Sequence, residues 1–121
     1  MGLHVLIVDD DMINRMLLKA LLKKNPKVDT VIEAENGSEA LEKAKDMEKL
    51  DIILLDVMMP ILNGVEFLKI FRSDMKNSNV PVVVLTTDDT RKTEVFDHGA
   101  NDFARKPIIE KDLARIIDQW T

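Results

Sequence analysis

Leu3-His4-Val5-Leu6-Ile7-Val8-Asp9-Asp10-Asp11 sets a short, largely apolar run directly before three carboxylates. A run of that length, bounded by polar residues, reads as a buried strand over residues 3–8. Three more runs have the same form: 52–55 stops at Asp56, 82–85 at Thr86, and the shorter 102–104 just before Lys106. Segments with helical spacing lie between them. Strands alternating with helices over short links imply a parallel sheet covered on both faces by right-handed crossovers. In such a sheet the residues just past the strand ends gather at one edge, where open α/β folds bind ligands. Asp9, Asp10, Asp56, Thr86 and Lys106 are therefore expected in one crevice.

Working outward, Ile13, Met16, Leu17, Ala20 and Leu21 recur at helical spacing, with Asp10 or Asp11 as N-cap and Asn25-Pro26 as the stop. A second strand is expected over 30–34. Asn36-Gly37-Ser38 then turns into a helix that carries Ala40, Leu41, Ala44 and Met47 inward. Asn63-Gly64 opens a helix with Val65, Leu68 and Phe71 on one face, and a further helix over 90–98 is stopped by Gly99. The last helix has Leu113, Ile116, Ile117 and Trp120 on its inner side. The expected pattern is (βα) five times, with one domain over residues 1–121.

Composition narrows the function. A net charge of -5 argues against nucleic acid and anionic lipid, since both require clustered Lys and Arg to neutralise phosphates. The absence of Cys excludes disulfides and thiolate metal sites, so a cytoplasmic location is the expectation. The start of the chain has no basic segment before its apolar run, and Asp9 interrupts that run far short of a spanning helix. Leu6 stands where a myristoylation motif needs Ser or Thr.

Asp9, Asp10 and Asp56 would repel one another if they converged unpaired, and such a cluster takes up protons or binds a cation. Oxygen-only ligands favour Mg2+ over zinc or copper, and calcium needs more ligands than are present. Magnesium bound by a few carboxylates commonly also takes phosphate oxygens, which points to a phosphorylated species in the crevice. Each residue has a plainer reading. Asp9 to Asp11 can cap a helix, Thr86 can bond backbone at a strand end, and Lys106 can be a solvated surface lysine. These readings weaken together, because each would need its residue at the same sheet edge by accident.

The chain resembles the receiver domains of bacterial two-component response regulators over nearly its whole length. The motifs are Val5 through Asp11, Leu54-Leu55-Asp56-Val57-Met58-Met59-Pro60 with Asn63-Gly64, Pro81 through Thr86, and Gly99-Ala100-Asn101-Asp102-Phe103 leading to Lys106-Pro107. The resemblance implies a flavodoxin-like, three-layer α/β fold with strand order 2-1-3-4-5. It implies that Asp56 takes a phosphoryl group from the phosphohistidine of a sensor histidine kinase or a histidine phosphotransfer protein. Mg2+ would be held by Asp10, Asp56 and the backbone carbonyl of Met58, with Asp9 acting through water. Lys106 would neutralise one phosphoryl oxygen and Thr86 would hydrogen-bond another after transfer. Phe103 would then turn inward and reshape the face made by the fourth helix, fifth strand and fifth helix for a downstream protein. The implied chemistry acts on the chain itself, as self-phosphorylation and slow autodephosphorylation, and not on a separate substrate.

Several positions depart from the family pattern or tune it. Phe103 lacks the hydroxyl of the Tyr common there, and buried Phe is also ordinary core. Thr87 stands where a small residue is usual and is expected to slow access to Asp56, while Met58 and Asp88 are expected to tune the phosphoryl group's lifetime. Ile108 replaces a frequent Phe, and a cis Lys106-Pro107 bond is implied. Asn14-Arg15 is similar to receivers fused to hybrid kinases, so both a stand-alone receiver and a piece of a larger protein fit. The competing readings are a receiver-like docking module that is never phosphorylated and a haloacid-dehalogenase-type phosphatase using Asp9 as nucleophile. Against the second, Lys106 follows Asp88-Asp89, where that family places its lysine first.

Overall fold

The computed structural model describes residues 2–57, 59, 63–87 and 89–121. Five parallel strands, β1 (Leu3–Val8), β2 (Val28–Ala34), β3 (Ile52–Leu55), β4 (Val82–Thr86) and β5 (Asp102–Arg105), form one sheet in the order 2-1-3-4-5. They alternate with α1 (Met12–Lys23), α2 (Gly37–Asp46), α3 (Gly64–Ser73), α4 (Lys92–Asp97) and α5 (Glu110–Trp120). This is the parallel sheet covered on both faces that the strand and helix alternation predicts, in the flavodoxin-like strand order that the family resemblance implies.

Side chains alternate across a strand, so each central strand feeds two cores. Leu6, Val8, Ile53, Leu55, Val82 and Val84 meet Ala40, Phe67, Leu68, Phe71 and Val95 on the side of α2, α3 and α4. Val5, Ile7, Ile52, Leu54, Val83 and Leu85 meet Leu18, Leu22, Leu113, Ile116 and Ile117 on the side of α1 and α5. Strands buried on both faces read as continuous apolar runs, which is why they were legible without alternation.

Caps fix where the helices begin. Asp11, not Asp10, caps α1 by accepting from the amides of Ile13 (2.9 Å) and Asn14 (3.4 Å). Asn36 caps α2, and Asn63 forms a reciprocal capping box with Glu66 on α3. The start of α3 packs tightly against the end of β3. A Cβ on Gly64 would lie 2.7 Å from the Asp56 carbonyl oxygen and 2.7 Å from Val57 Cα, so only glycine lets the helix approach there.

Four boundaries differ from expectation, the first being β5, which extends past 104 to Arg105. β2 starts at Val28, β4 runs on to include Thr86, and the helix expected over 90–98 is a 3₁₀ turn (Asp89–Arg91) followed by the shorter α4. The larger difference is the orientation of α1. Its buried residues are Leu18 and Leu22, whereas Ile13, Met16 and Leu17 are 58%, 57% and 59% exposed. Met12 and Ala20 lie on the exposed side too. Apolar residues occupy more of the circumference of α1 than the sheet can cover, so spacing alone does not select the buried stripe.

Candidate functional site

Strand register brings the site together. Val8 pairs with Leu55, so Asp9 and Asp56 leave neighbouring strands at the same level. The Asp56 amide donates to the Val8 carbonyl (2.8 Å) and the Asp9 amide to that of Ala34 (3.0 Å), which pins both backbones. On the other side Thr86 pairs with Arg105, and the Lys106 amide donates to the Thr86 carbonyl (3.0 Å). The Lys106-Pro107 bond is cis. Asp9, Asp10, Asp56, Thr86 and Lys106 thus share the C-terminal edge of the sheet.

The carboxylates are unequally placed. Asp9, Asp56 and Thr86 are buried, and Asp10 is exposed. One carboxylate oxygen from each of Asp9, Asp10 and Asp56 lies within 4.8 Å of the others. Asp9 Oδ1 accepts from the Asp11 amide (2.9 Å) and its Oδ2 accepts from the Lys106 ammonium. Lys106 Nζ also lies 3.3 Å from Asp56 Oδ2. Burial by itself would lower the pKa of this ammonium, but the hydrogen bond from Lys106 to Asp9 and the charges of Asp56 and Asp9 together outweigh it and leave the value raised.

These donors fit a hard divalent cation. Three carboxylates within 4.8 Å carry more negative charge than Lys106 neutralises, every side-chain ligand is oxygen, and Asp10 opens to solvent. Among the described residues, Asp9, Asp10 and Asp56 form the carboxylate cluster able to hold magnesium. Met58 and Asp88, expected to supply a ligand carbonyl and to tune the site, lie outside the described residues.

Around the site, Thr87 is exposed and lines a cavity of about 220 Å³ with Leu17, Leu21, Lys106 and Ile108. Phe103 is half-buried, packs on the core beneath α4, and has the Lys92 ammonium 5.6 Å from its ring centroid. Sequence reasoning gave Arg15 no part in the site. Its Nη1 nevertheless donates to the Asp9 carbonyl at 2.7 Å. The available signal was weak, a basic residue in the first turns of a helix that follows an acid pair.

Residues 5–118 match the response regulator receiver domain. The chain is 35% identical to the protein PilH of Pseudomonas aeruginosa over 117 residues, which is 95% of this chain and 94% of that protein. It spans 52% of a Bacillus subtilis transcriptional regulatory protein, LnrK, to which it is also 35% identical, over 95% of this chain. The fold superposes on the Vibrio cholerae chemotaxis protein CheY4 with a TM-score of 0.91 at 30% identity, covering 100% of both chains. It superposes with a TM-score of 0.89 at 26% identity on the receiver domain of a Pseudomonas aeruginosa sensor histidine kinase, covering 99% and 98% of the two chains; in that structure a magnesium ion is coordinated in the active site cleft. From the acid edge, the strand order and these likenesses together, the chain belongs to the response regulator receiver domain family, the phosphorylatable signalling switches of two-component systems.

Proposed function

We propose that Asp56 accepts a phosphoryl group from the phosphohistidine of a sensor histidine kinase or a histidine phosphotransfer protein. A carboxylate oxygen of Asp56 attacks phosphorus, the phosphorus–nitrogen bond breaks, and the donor imidazole leaves carrying the bonding pair. Phosphoryl transfer of this kind depends mainly on positioning and charge stabilisation. The observation that supports it best is the single ammonium of Lys106 shared between Asp9 and Asp56 beside the exposed Asp10.

Magnesium, held by Asp10 and Asp56 with Asp9 acting through water, would supply positive charge to the phosphoryl oxygens. Met58, through its carbonyl, is the further ligand in this reading. Lys106 exchanges part of its contact with Asp56 for one phosphoryl oxygen, and the Thr86 hydroxyl donates to another. Thr87 narrows access, and Asp88 governs the water that hydrolyses the acyl phosphate. Recruitment of Thr86 frees space for Phe103 to turn inward, which changes the face of α4, β5 and α5 for a downstream protein.

The protein donor docks along α1. Met12, Ile13, Met16 and Leu17 form an exposed apolar stripe that begins two residues after Asp10, and Leu17 continues it into the cavity beside Lys106. An apolar face that runs into the reacting edge suits a partner helix carrying the phosphohistidine.

The test is intact-mass analysis after incubation with a small-molecule phosphodonor and magnesium, beside Asp56→Asn and an EDTA control. A phosphoryl adduct that needs both metal and Asp56 is the expected result. Wild-type protein that binds magnesium yet forms no adduct would instead favour a docking module. Turnover of a phosphate ester lost in Asp9→Asn but kept in Asp56→Asn would favour a phosphatase.

A further inference from the structure

We propose that Arg15 is a positioning residue for the divalent metal: by holding the Asp9 carbonyl it fixes the peptide plane between Asp9 and Asp10 and aims the Asp10 carboxylate at the oxygen cluster. This rests on the reading of Asp9, Asp10 and Asp56 as the magnesium site.

The three carboxylates are not equally supported. Asp9 is held at both oxygens, by the Asp11 amide and by Lys106, and Asp56 has Lys106 at 3.3 Å. Asp10 is exposed, and among the described residues no hydrogen bond or ion pair holds its carboxylate. What its backbone fixes is the direction of the Cα–Cβ bond, from which χ1 still turns between staggered wells. The carbonyl of Asp9 belongs to the peptide that precedes the Asp10 Cα, and a planar peptide rotates as a unit. Holding that oxygen limits how far the Asp10 Cα–Cβ bond can turn, and with it the positions the carboxylate can reach.

Arg15 is built for the task. It stands four residues into α1, with a side chain 12% exposed, and reaches back from the helix to the residue just past the end of β1. While Nη1 grips the Asp9 carbonyl at 2.7 Å, Nε lies 3.4 Å from Glu33 Oε1 on the adjacent strand β2. Glu33 is itself anchored: Lys19 lies 3.3 Å from Oε2, and Lys43 donates to its backbone carbonyl. The planar guanidinium thus spans two acceptors at once, a geometry that a lysine ammonium does not reproduce. Groups that orient metal ligands from behind typically change metal affinity by ten-fold or more when removed.

Magnesium titration followed by ¹H–¹⁵N amide shifts tests this without any phosphoryl transfer. Arg15→Met is expected to weaken magnesium binding about ten-fold while melting cooperatively, and Arg15→Lys to recover only part of the loss. Glu33→Gln, which removes the anchor and leaves the grip, is expected to fall between Arg15→Met and wild type. Lys19→Met, which loses the same Glu33 partner without touching Asp9, is expected to bind as wild type. Magnesium affinity in Arg15→Met equal to wild type overturns the proposal, as does an equal loss in Lys19→Met or full recovery in Arg15→Lys. Should Arg15→Met not fold, wild-type affinity in Glu33→Gln overturns it. If wild type and Asp10→Asn alike show no specific magnesium binding, the metal-site reading fails and this inference with it; binding in wild type that Asp10→Asn weakens leaves the outcome to Arg15 alone.

Discussion

Lys106 Nζ lies 3.3 Å from Asp56 Oδ2 while it donates to Asp9, so one cation on the loop after β5 ties together the ends of β1 and β3. The cation is 12% exposed, and replacing it by Met leaves two buried carboxylates without their shared partner.

That relation has a pH signature. The ammonium's pKa is raised above its ordinary 10.5, because the interactions with Asp9 and Asp56 exceed the opposing effect of burial. A raised value on a cationic group stabilises the fold fully below the unfolded pKa and loses that contribution as pH climbs through the folded one. Relative to Lys106→Met, wild type should be more stable by about 2 kcal/mol at neutral pH, and the advantage should shrink only above pH 10.5. Urea unfolding of both proteins from neutral to alkaline pH measures it; an advantage that disappears below pH 9, roughly 1.5 units under that value, contradicts the assignment.

Gly64 sets the spacing between α3 and the end of strand β3. In Gly64→Ala the added methyl would meet backbone atoms of Asp56 and Val57 at 2.7 Å, and neither can rotate away. The variant should lose about 2 kcal/mol of unfolding free energy and, because the end of β3 must shift, should form the Asp56 adduct more slowly. Loss of stability with an unchanged labelling rate would separate the packing from the chemistry.

Arg72 joins α3 to the far end of the sheet. Its guanidinium donates to the carbonyls of Asn77 (2.7 Å), Val80 (2.6 Å) and Gly99 (2.9 Å) and to Asn101 Oδ1 (2.8 Å), which in turn accepts from the Val82 amide. Arg72→Met should destabilise by about 2–3 kcal/mol, and Arg72→Lys should restore little, since one ammonium cannot serve acceptors arranged for a planar fork. Chemical denaturation of the three proteins decides it.

A substitution at Leu17 tests docking apart from phosphoryl transfer. At 59% exposure it contributes little to the core, so Leu17→Glu should change stability by about 0.5 kcal/mol or less. Labelling by a small phosphodonor should stay near the wild-type rate, whereas transfer from a phosphorylated histidine kinase that labels wild type should fall about ten-fold or more. Equal losses in both assays would place Leu17 in the acceptor site instead.

Much of this molecule is written locally. The runs before Asp9, Asp56 and Thr86 are strands because both of their faces are buried, and Asn36 and Asn63 start helices through caps only a few residues long. Such signals need no distant partner, so the element order and the acid, hydroxyl and lysine set could be read from the chain. The buried stripe of α1 could not, because Ile13, Met16 and Leu17 are as apolar as Leu18 and Leu22 and only the sheet selects between them. Likewise the ammonium of Lys106 meets a carboxylate 97 residues away, and Arg15 reaches behind its own helix to the Asp9 carbonyl and across to Glu33. Those contacts depend on the register that sets Val8 beside Leu55 and Thr86 beside Arg105, a choice made by packing across the whole sheet and carried by no local pattern.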